Sequence, residues 1–321
     1  MKCPLARRKW RDVIAKLHRA TQADGKPLNA TGPRRLAASP AGVQLACVSG
    51  PGRPTLGRGR PGPREADDVT RKIAFVASDA PIAQEALGRL AQLYGQAPLS
   101  EAEIIVALGG DGFMLQTLHA TQGLPAPVYG MNRGTVGFLM NDYHEDDLPQ
   151  RLAAAEEAVI NPLTATTVCV DGSVHHALAI NEVSLLRAGP QAAKLRISVD
   201  GKLRLEELVC DGVMVSTPAG STAYNYSAHG PILPIGAEVL ALTAVAAFRP
   251  RRWRGALLPK TAVVRFDVIE AERRPVMSDA DGKSVRNVAS VEIRSEPAVT
   301  HAILFDPGHG LEERLIQEQF S

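Results

Sequence analysis

Four consecutive residues, Gly109, Gly110, Asp111 and Gly112, carry the group types that a phosphate-handling loop requires. Glycines let successive backbone N–H groups converge on an anion with no Cβ in the way, and a helix that begins there adds its positive N-terminal end. An aspartate inside such a cradle is electrostatically costly beside phosphate unless it handles a proton or helps to hold a metal. The same residues also read as a tight loop in which Asp111 caps a helix, and the loop alone does not choose between the two. The sequence has no G-x-x-x-x-G-K-[ST] and no set of protein-kinase motifs, which excludes two common nucleotide-binding classes.

Two later segments add chemistry. Asn181 and Glu182 are adjacent polar residues inside an apolar, strand-like stretch at 177–186, where burial demands hydrogen-bond partners that a ligand rich in hydroxyls would supply. Asp211-Gly212 precedes Ser216-Thr217-Pro218-Ala219-Gly220-Ser221-Thr222-Ala223-Tyr224, and Ser227 follows. Small residues and hydroxyls packed into one turn before an aromatic pair suit a flat ring and its sugar, with Tyr224 over one face. The plain alternative is a helix start with a Ser/Thr cap. Asp279 and Asp281 could form a metal-binding pair, but their turn context favours a hairpin; His175-His176 reads as a solvent-facing strand pair. His229, after the turn, is a further candidate, and Arg249, Arg251, Arg252 and Arg254 suit either phosphates or a solvated or oligomeric face.

The elements that must position these residues fall into two textures. The run at 72–77 reads as a buried strand, and a helix with Pro81 at its start runs to about Tyr94 and stops at Gly95. A second strand at 103–108 ends in the glycine cluster, a helix follows at 113–120, and a third strand spans 127–131. That alternation is α/β order and predicts a parallel sheet with ligands at the carboxyl ends of its strands. An acidic helical stretch is expected near 145–157. Beyond it the chain is β-rich, with hairpin turns at Asp171-Gly172, Asp200-Gly201 and Asp281-Gly282. We therefore expect an α/β N-terminal domain with a parallel sheet at 71–158, to which 300–321 return, and a β-rich, β-sandwich-like C-terminal domain at 159–299, with the site between them.

Composition sets the frame: 321 residues, 45% hydrophobic and 22% charged, are ordinary globular values. No apolar run approaches the roughly 18 residues of a membrane helix, and no secretory block opens the chain, so no membrane role and a cytoplasmic location are expected. Cys3, Cys47, Cys169 and Cys210 are too scattered for a zinc knuckle or a disulfide framework. Residues 1–70 hold 14 Lys and Arg against 5 Asp and Glu, with Trp10 as their only aromatic residue and 16 Gly plus Pro. They are expected to be a disordered basic extension. Without interleaved aromatics to stack bases they give no reason to expect nucleic acid. A transit peptide, a functionless extension or a true start near Val69 all fit this composition. Gly57 to Gly62 match G-x-G-x-x-G by chance, since no strand precedes them and Pro61 disrupts the helix that should follow.

In order and separation, Gly109-Gly110-Asp111-Gly112, Asn181-Glu182, Asp211-Gly212 and Thr217-Pro218-Ala219-Gly220-Ser221-Thr222-Ala223-Tyr224 resemble the NAD kinases, from Arg71 to the C-terminus. Lipid kinases and phosphofructokinases carry similar glycine loops, but the last segment together with Asn181-Glu182 is specific. The resemblance implies a phosphotransferase that moves the terminal phosphoryl group of ATP, or of polyphosphate, to the 2′-hydroxyl of the adenosine ribose of NAD. It also implies Mg²⁺ carried with the donor and a homodimer or homotetramer with sites near subunit contacts. By the same resemblance Asp111 is the general base, and Gly109, Gly110 and Gly112 form the donor loop. Phe138 lies near the dinucleotide, Asn181 and Glu182 bind a ribose, Asp211 lies near the nicotinamide, and Thr222, Ala223, Tyr224 and Ser227 line the adenosine pocket. A lipid kinase and a catalytically silent NAD-binding regulator are the alternatives.

Overall fold

The computed structural model describes residues 71–134, 137–251 and 253–308; the readings made for residues 1–70, for Arg252 and for the end of the chain lie outside them. Strand β1 (Ile73–Ala77), helix α1 (Pro81–Tyr94), strand β2 (Ile104–Gly109), helix α2 (Asp111–Ala120) and strand β3 (Val128–Asn132) follow the expected order. The three strands pair in parallel. Every residue of β1 and β2 is buried, which is why both read as unbroken apolar runs rather than as alternating ones. Pro81 opens α1 and Gly95 closes it with a positive φ of 80°.

The acidic stretch expected as one helix is divided. Helix α3 occupies only Leu148–Ala154, and Glu156 opens strand β4 (Glu156–Ile160). Asp147, at φ 55°, breaks the chain before α3, and Ala155 is extended after it. β4 is an edge strand, where exposed glutamates guard against further pairing, and this is how a charged run that reads as helix becomes sheet.

The β-rich part comprises β5 (Leu163–Cys169), β6 (Val174–Ala179), β7 (Glu182–Arg187), β8 (Ala193–Val199), β9 (Lys202–Cys210), β10 (Gly212–Ser216), the short helix α4 (Tyr224–Ser227), β11 (Val239–Val245), β12 (Gly255–Pro259), β13 (Val264–Val268), β14 (Val276–Ala280), β15 (Lys283–Val285) and β16 (Val288–Ser295). These strands form two six-stranded antiparallel sheets, ordered β6-β5-β16-β13-β8-β9 and β12-β11-β10-β7-β14-β15. Inward residues such as Leu195, Ile197, Phe266 and Ile293 of one sheet meet Leu185, Val213, Val215 and Leu242 of the other in a single core. The three Asp-Gly pairs turn the hairpins β5–β6, β8–β9 and β14–β15, as expected. The last strand, β17 (His301–Phe305), lies in the first sheet between β3 and β4, giving the order β1-β2-β3-β17-β4. That sheet is therefore parallel except at its β4 edge.

One expectation needs correcting because it concerns the site. Asn181 and Glu182 do not lie within a single strand. The chain leaves β6 in one sheet and enters β7 in the other, and Ile180 and Asn181 form the crossing.

Candidate active site

The glycine loop sits at the carboxyl end of β2, where an open α/β sheet places its ligands. Gly110 takes the N-cap position of α2, so Asp111 is the first helical residue and not the cap that the sequence also allowed. Its carboxylate turns outward instead. Oδ2 accepts the Phe138 N–H at 2.7 Å and Oδ1 the Leu139 N–H at 2.9 Å, which fixes the plane of the carboxylate. The approach is so close that a Cβ on Gly137 would lie 2.6 Å from Asp111 Oδ1. The segment after β3 is tied to the loop from its other side by the Arg133 N–H, which donates to the Gly109 carbonyl at 2.7 Å, and Asn132 Oδ1 accepts the Gly134 N–H at 2.9 Å. Gly109, Gly110, Asp111, Gly112 and Phe138 thus belong to one substructure.

A second substructure surrounds the crossing between the sheets. Asp281, whose side chain is wholly inaccessible, accepts N–H groups from Ile180 at 2.5 Å, Asn181 at 3.1 Å and Glu182 at 3.4 Å. It can do so because Asp281 and Gly282 both take left-handed conformations in the β14–β15 turn, at φ 48° and 86°. The backbone role of this turn was legible in the sequence; the carboxylate clamp, about a hundred residues away in the chain, was not. From the opposite side the Thr217 hydroxyl donates to the Ile180 carbonyl at 2.7 Å and accepts the Gly220 N–H at 3.0 Å. Gly220 packs so tightly that any Cβ there would overlap the Asn181 carbonyl.

That packing joins Asn181 and Glu182 to the turn that carries Thr222, Ala223, Tyr224 and Ser227. Asn225, which sequence reasoning passed over, locks this turn. It is fully buried, donates from Nδ2 to the Ser221 and Pro231 carbonyls at 3.1 and 2.9 Å, and accepts the Thr243 hydroxyl at 2.6 Å. Tyr224 stays 37% exposed and Ser227 is exposed, while Thr222 and Ala223 are half-buried. His229 is exposed just beyond. The two substructures meet through α2: Asp111 opens the helix, and His119 in its last turn bonds Asp281 at 2.8 Å.

Electrostatics sets this second region apart. Burial, and then the nearby charges of Asp281 and Asp279, push the Glu182 carboxyl up to about 8, so at neutral pH it is held largely as the neutral acid. Burial, and then the neighbouring His119, push His301 down to about 4 and keep its ring neutral. Asn181 Oδ1 and Glu182 Oε2 are buried with no hydrogen-bond partner among the described residues, and so is Arg133 Nε beside the glycine loop. Native proteins rarely leave such atoms unpaired, so each calls for a partner such as bound water, an ion or a ligand.

Asp211 is not brought to this cluster. It leads into β10 at the end where Gly212 pairs with Leu186, whereas Glu182 pairs with Ser216 at the other end, about 16 Å away along the strand. There Asp211 binds Arg187 Nε at 2.6 Å. His175 and His176 are exposed on β6, as read. No group of three or more His, Cys, Asp or Glu stands in metal-binding arrangement among the described residues, and no helix among them is long and apolar enough to cross a membrane.

Comparison with known proteins agrees in both halves of the chain. The ATP-NAD kinase N-terminal domain matches residues 92–159, and the ATP-NAD kinase C-terminal domain matches residues 180–289. An NAD kinase of Cereibacter sphaeroides is 76% identical over 250 residues, which make up 78% of this chain and 98% of that protein. An NAD kinase of Caulobacter vibrioides is 58% identical over 253 residues, 79% of this chain and 97% of that protein. Two solved structures share the fold at low identity. Yeast NADH kinase complexed with NADH has a TM-score of 0.67 at 20% identity, covering 78% of this chain and 87% of its own. An Archaeoglobus fulgidus NAD kinase in complex with ATP has a TM-score of 0.64 at 23% identity, covering 77% and 98%. With matches across both its α/β and its β-rich parts and relatives this similar, the chain belongs to the NAD kinase family.

Proposed function

We propose that this protein transfers the terminal phosphoryl group of ATP or polyphosphate to the 2′-hydroxyl of the adenosine ribose of NAD, giving NADP. The observation that carries the reading is the pair of buried, unpartnered oxygens on Asn181 and Glu182, beside a turn of small residues and hydroxyls that ends in the exposed ring of Tyr224. Together they offer a ribose and an adenine the complementary groups that the protein itself leaves open. Glu182, as a neutral acid, both donates to and accepts from a ribose hydroxyl, which an ionised carboxylate cannot do. Asn181 supplies the acceptor, and Thr222, Ala223, Tyr224 and Ser227 receive the base.

Asp111 is the general base. As the 2′-oxygen bonds to the terminal phosphorus of the donor, the bond from that phosphorus to the bridging oxygen breaks, and the shortened donor leaves with the electron pair. Asp111 takes the proton released by the hydroxyl. The two N–H bonds from Phe138 and Leu139 hold the carboxylate in a fixed orientation for this task. Gly109, Gly110 and Gly112 bring backbone N–H groups to the donor phosphates. Mg²⁺ would be carried by the donor phosphates held at Gly109, Gly110 and Gly112, where it would neutralise phosphate charge with few ligands from the protein itself. Asp211, at the opposite end of β10 from the residue paired with Glu182, is assigned to the nicotinamide end of the dinucleotide, and the enzyme is assigned a homodimeric or homotetrameric state.

Incubation with NAD, Mg²⁺ and either ATP or polyphosphate should yield NADP. No product with either donor would overturn the reading.

A further inference from the structure

Arg133 follows β3 directly and is absent from every role assigned above. Its backbone N–H bonds the Gly109 carbonyl, and the next residue, Gly134, lies against Gly110, where an added Cβ would come within 3.5 Å of the Gly110 Cα and N. The side chain is half-buried. Its guanidinium carbon stands 3.8 Å from the centroid of the Tyr143 ring, and Nε is buried with no partner. Among the described residues the guanidinium makes no hydrogen bond and no ion pair. The ring beneath it is braced: the Tyr143 hydroxyl donates to Glu145 Oε1 at 2.7 Å, and Arg89 Nε holds that same oxygen at 2.9 Å.

A cation stacked here gains from the ring face, but its buried Nε donor stays unsatisfied, which is costly out of bulk water. A planar fork of donors with one face packed is the arrangement that takes two oxygens of a phosphate chain. The loop beside it supplies uncharged N–H groups and one negative carboxylate, Asp111, so a fixed positive side chain would add to whatever charge a donor-borne cation neutralises on the transferring phosphoryl group.

We propose that Arg133, pre-oriented on Tyr143, clamps the terminal phosphates of the donor and neutralises charge during transfer. This inference rests on the kinase reading and adds to it a residue selective for the donor. The attachment of Arg133 to Gly109 and Gly110, rather than to the Asn181 region, assigns it to the donor phosphates and not to the diphosphate of NAD.

The test compares Arg133→Met, Arg133→Lys and the wild type in steady-state kinetics, with thermal unfolding as the control for folding. Arg133→Met should lower kcat/KM for the donor about 10²-fold while the KM for NAD stays within a factor of about two. The loss should appear with both ATP and polyphosphate, because the phosphate chain is the shared chemistry, and Arg133→Lys should restore part of it. Inorganic tripolyphosphate, titrated by calorimetry, should bind the wild type and fail to bind a folded Arg133→Met protein. That binding experiment keeps its meaning even if no NADP is ever formed. Unchanged donor kinetics and unchanged tripolyphosphate binding in Arg133→Met, or a rise confined to the KM for NAD, would overturn the proposal.

Discussion

Around Asp111 the groups that fix the carboxylate proposed as the base are backbone amides, and glycines clear the space; around Asn181 and Glu182 a buried carboxylate, Asp281, does the fixing and the amides are the ones held. The first region leaves its carboxylate half-buried at a helix start, where a proton can come and go. The second seals its carboxylate completely beside Glu182, whose own burial, and then the charges of Asp281 and Asp279, raise its pKa. A group that must exchange protons stays reachable and is oriented by neutral donors, whereas a group that only shapes a pocket can be buried at the expense of its neighbours' ionisation. Helix α2 spans both regions, so a disturbance in either is felt along one rigid element.

This contrast can be broken at several points. The largest effect belongs to Asp111→Asn, which should lower kcat about 10²–10⁴-fold with little change in NAD affinity or in the unfolding midpoint. Turnover close to the wild type's would remove Asp111 from the chemistry. Asp281→Asn should act the other way, costing about 3 kcal/mol of stability because three N–H donors and His119 lose a buried charge. It should also raise the KM for NAD about tenfold and barely alter that for the donor. Equal changes in both constants would mean that the clamp does not separate the two regions.

Smaller changes sharpen the comparison further. Gly220→Ala forces a methyl group onto the Asn181 carbonyl and should cost about 2 kcal/mol, seen as a fall of several degrees in the unfolding midpoint. A last effect is a slope rather than a single step. Between about pH 4.5 and 8 an unfolded chain releases the Glu182 proton while the folded chain keeps it, so stability falls as pH rises through that window and levels off above it. Glu182→Gln should remove that part of the slope. An unaltered stability profile from pH 5 to 8 in the variant would show that Glu182 titrates normally.

Much of the frame was legible in the sequence. The α/β order at the start, the glycine loop at a strand end and all three Asp-Gly turns stand where local patterns put them, because each depends on neighbours within a few residues. What escaped was non-local. Nothing near Asp281 signals that its carboxylate will reach the amides of residues 180–182, and nothing near Asn225 signals Thr243. Which end of the paired strand β10 Asp211 would occupy relative to Glu182 was likewise not to be read from spacing along the chain. The charged run at 156–160 hid a strand because an edge tolerates polar residues that an interior strand would not.

The central claim is that the two regions present one particular hydroxyl to Asp111. Nuclear magnetic resonance of the phosphorylated product, formed from NAD and ATP, tests it most directly by locating the new phosphate. The account predicts a single phosphomonoester on the 2′-oxygen of the adenosine ribose. A phosphate on the 3′-oxygen, or on the nicotinamide ribose, would contradict it.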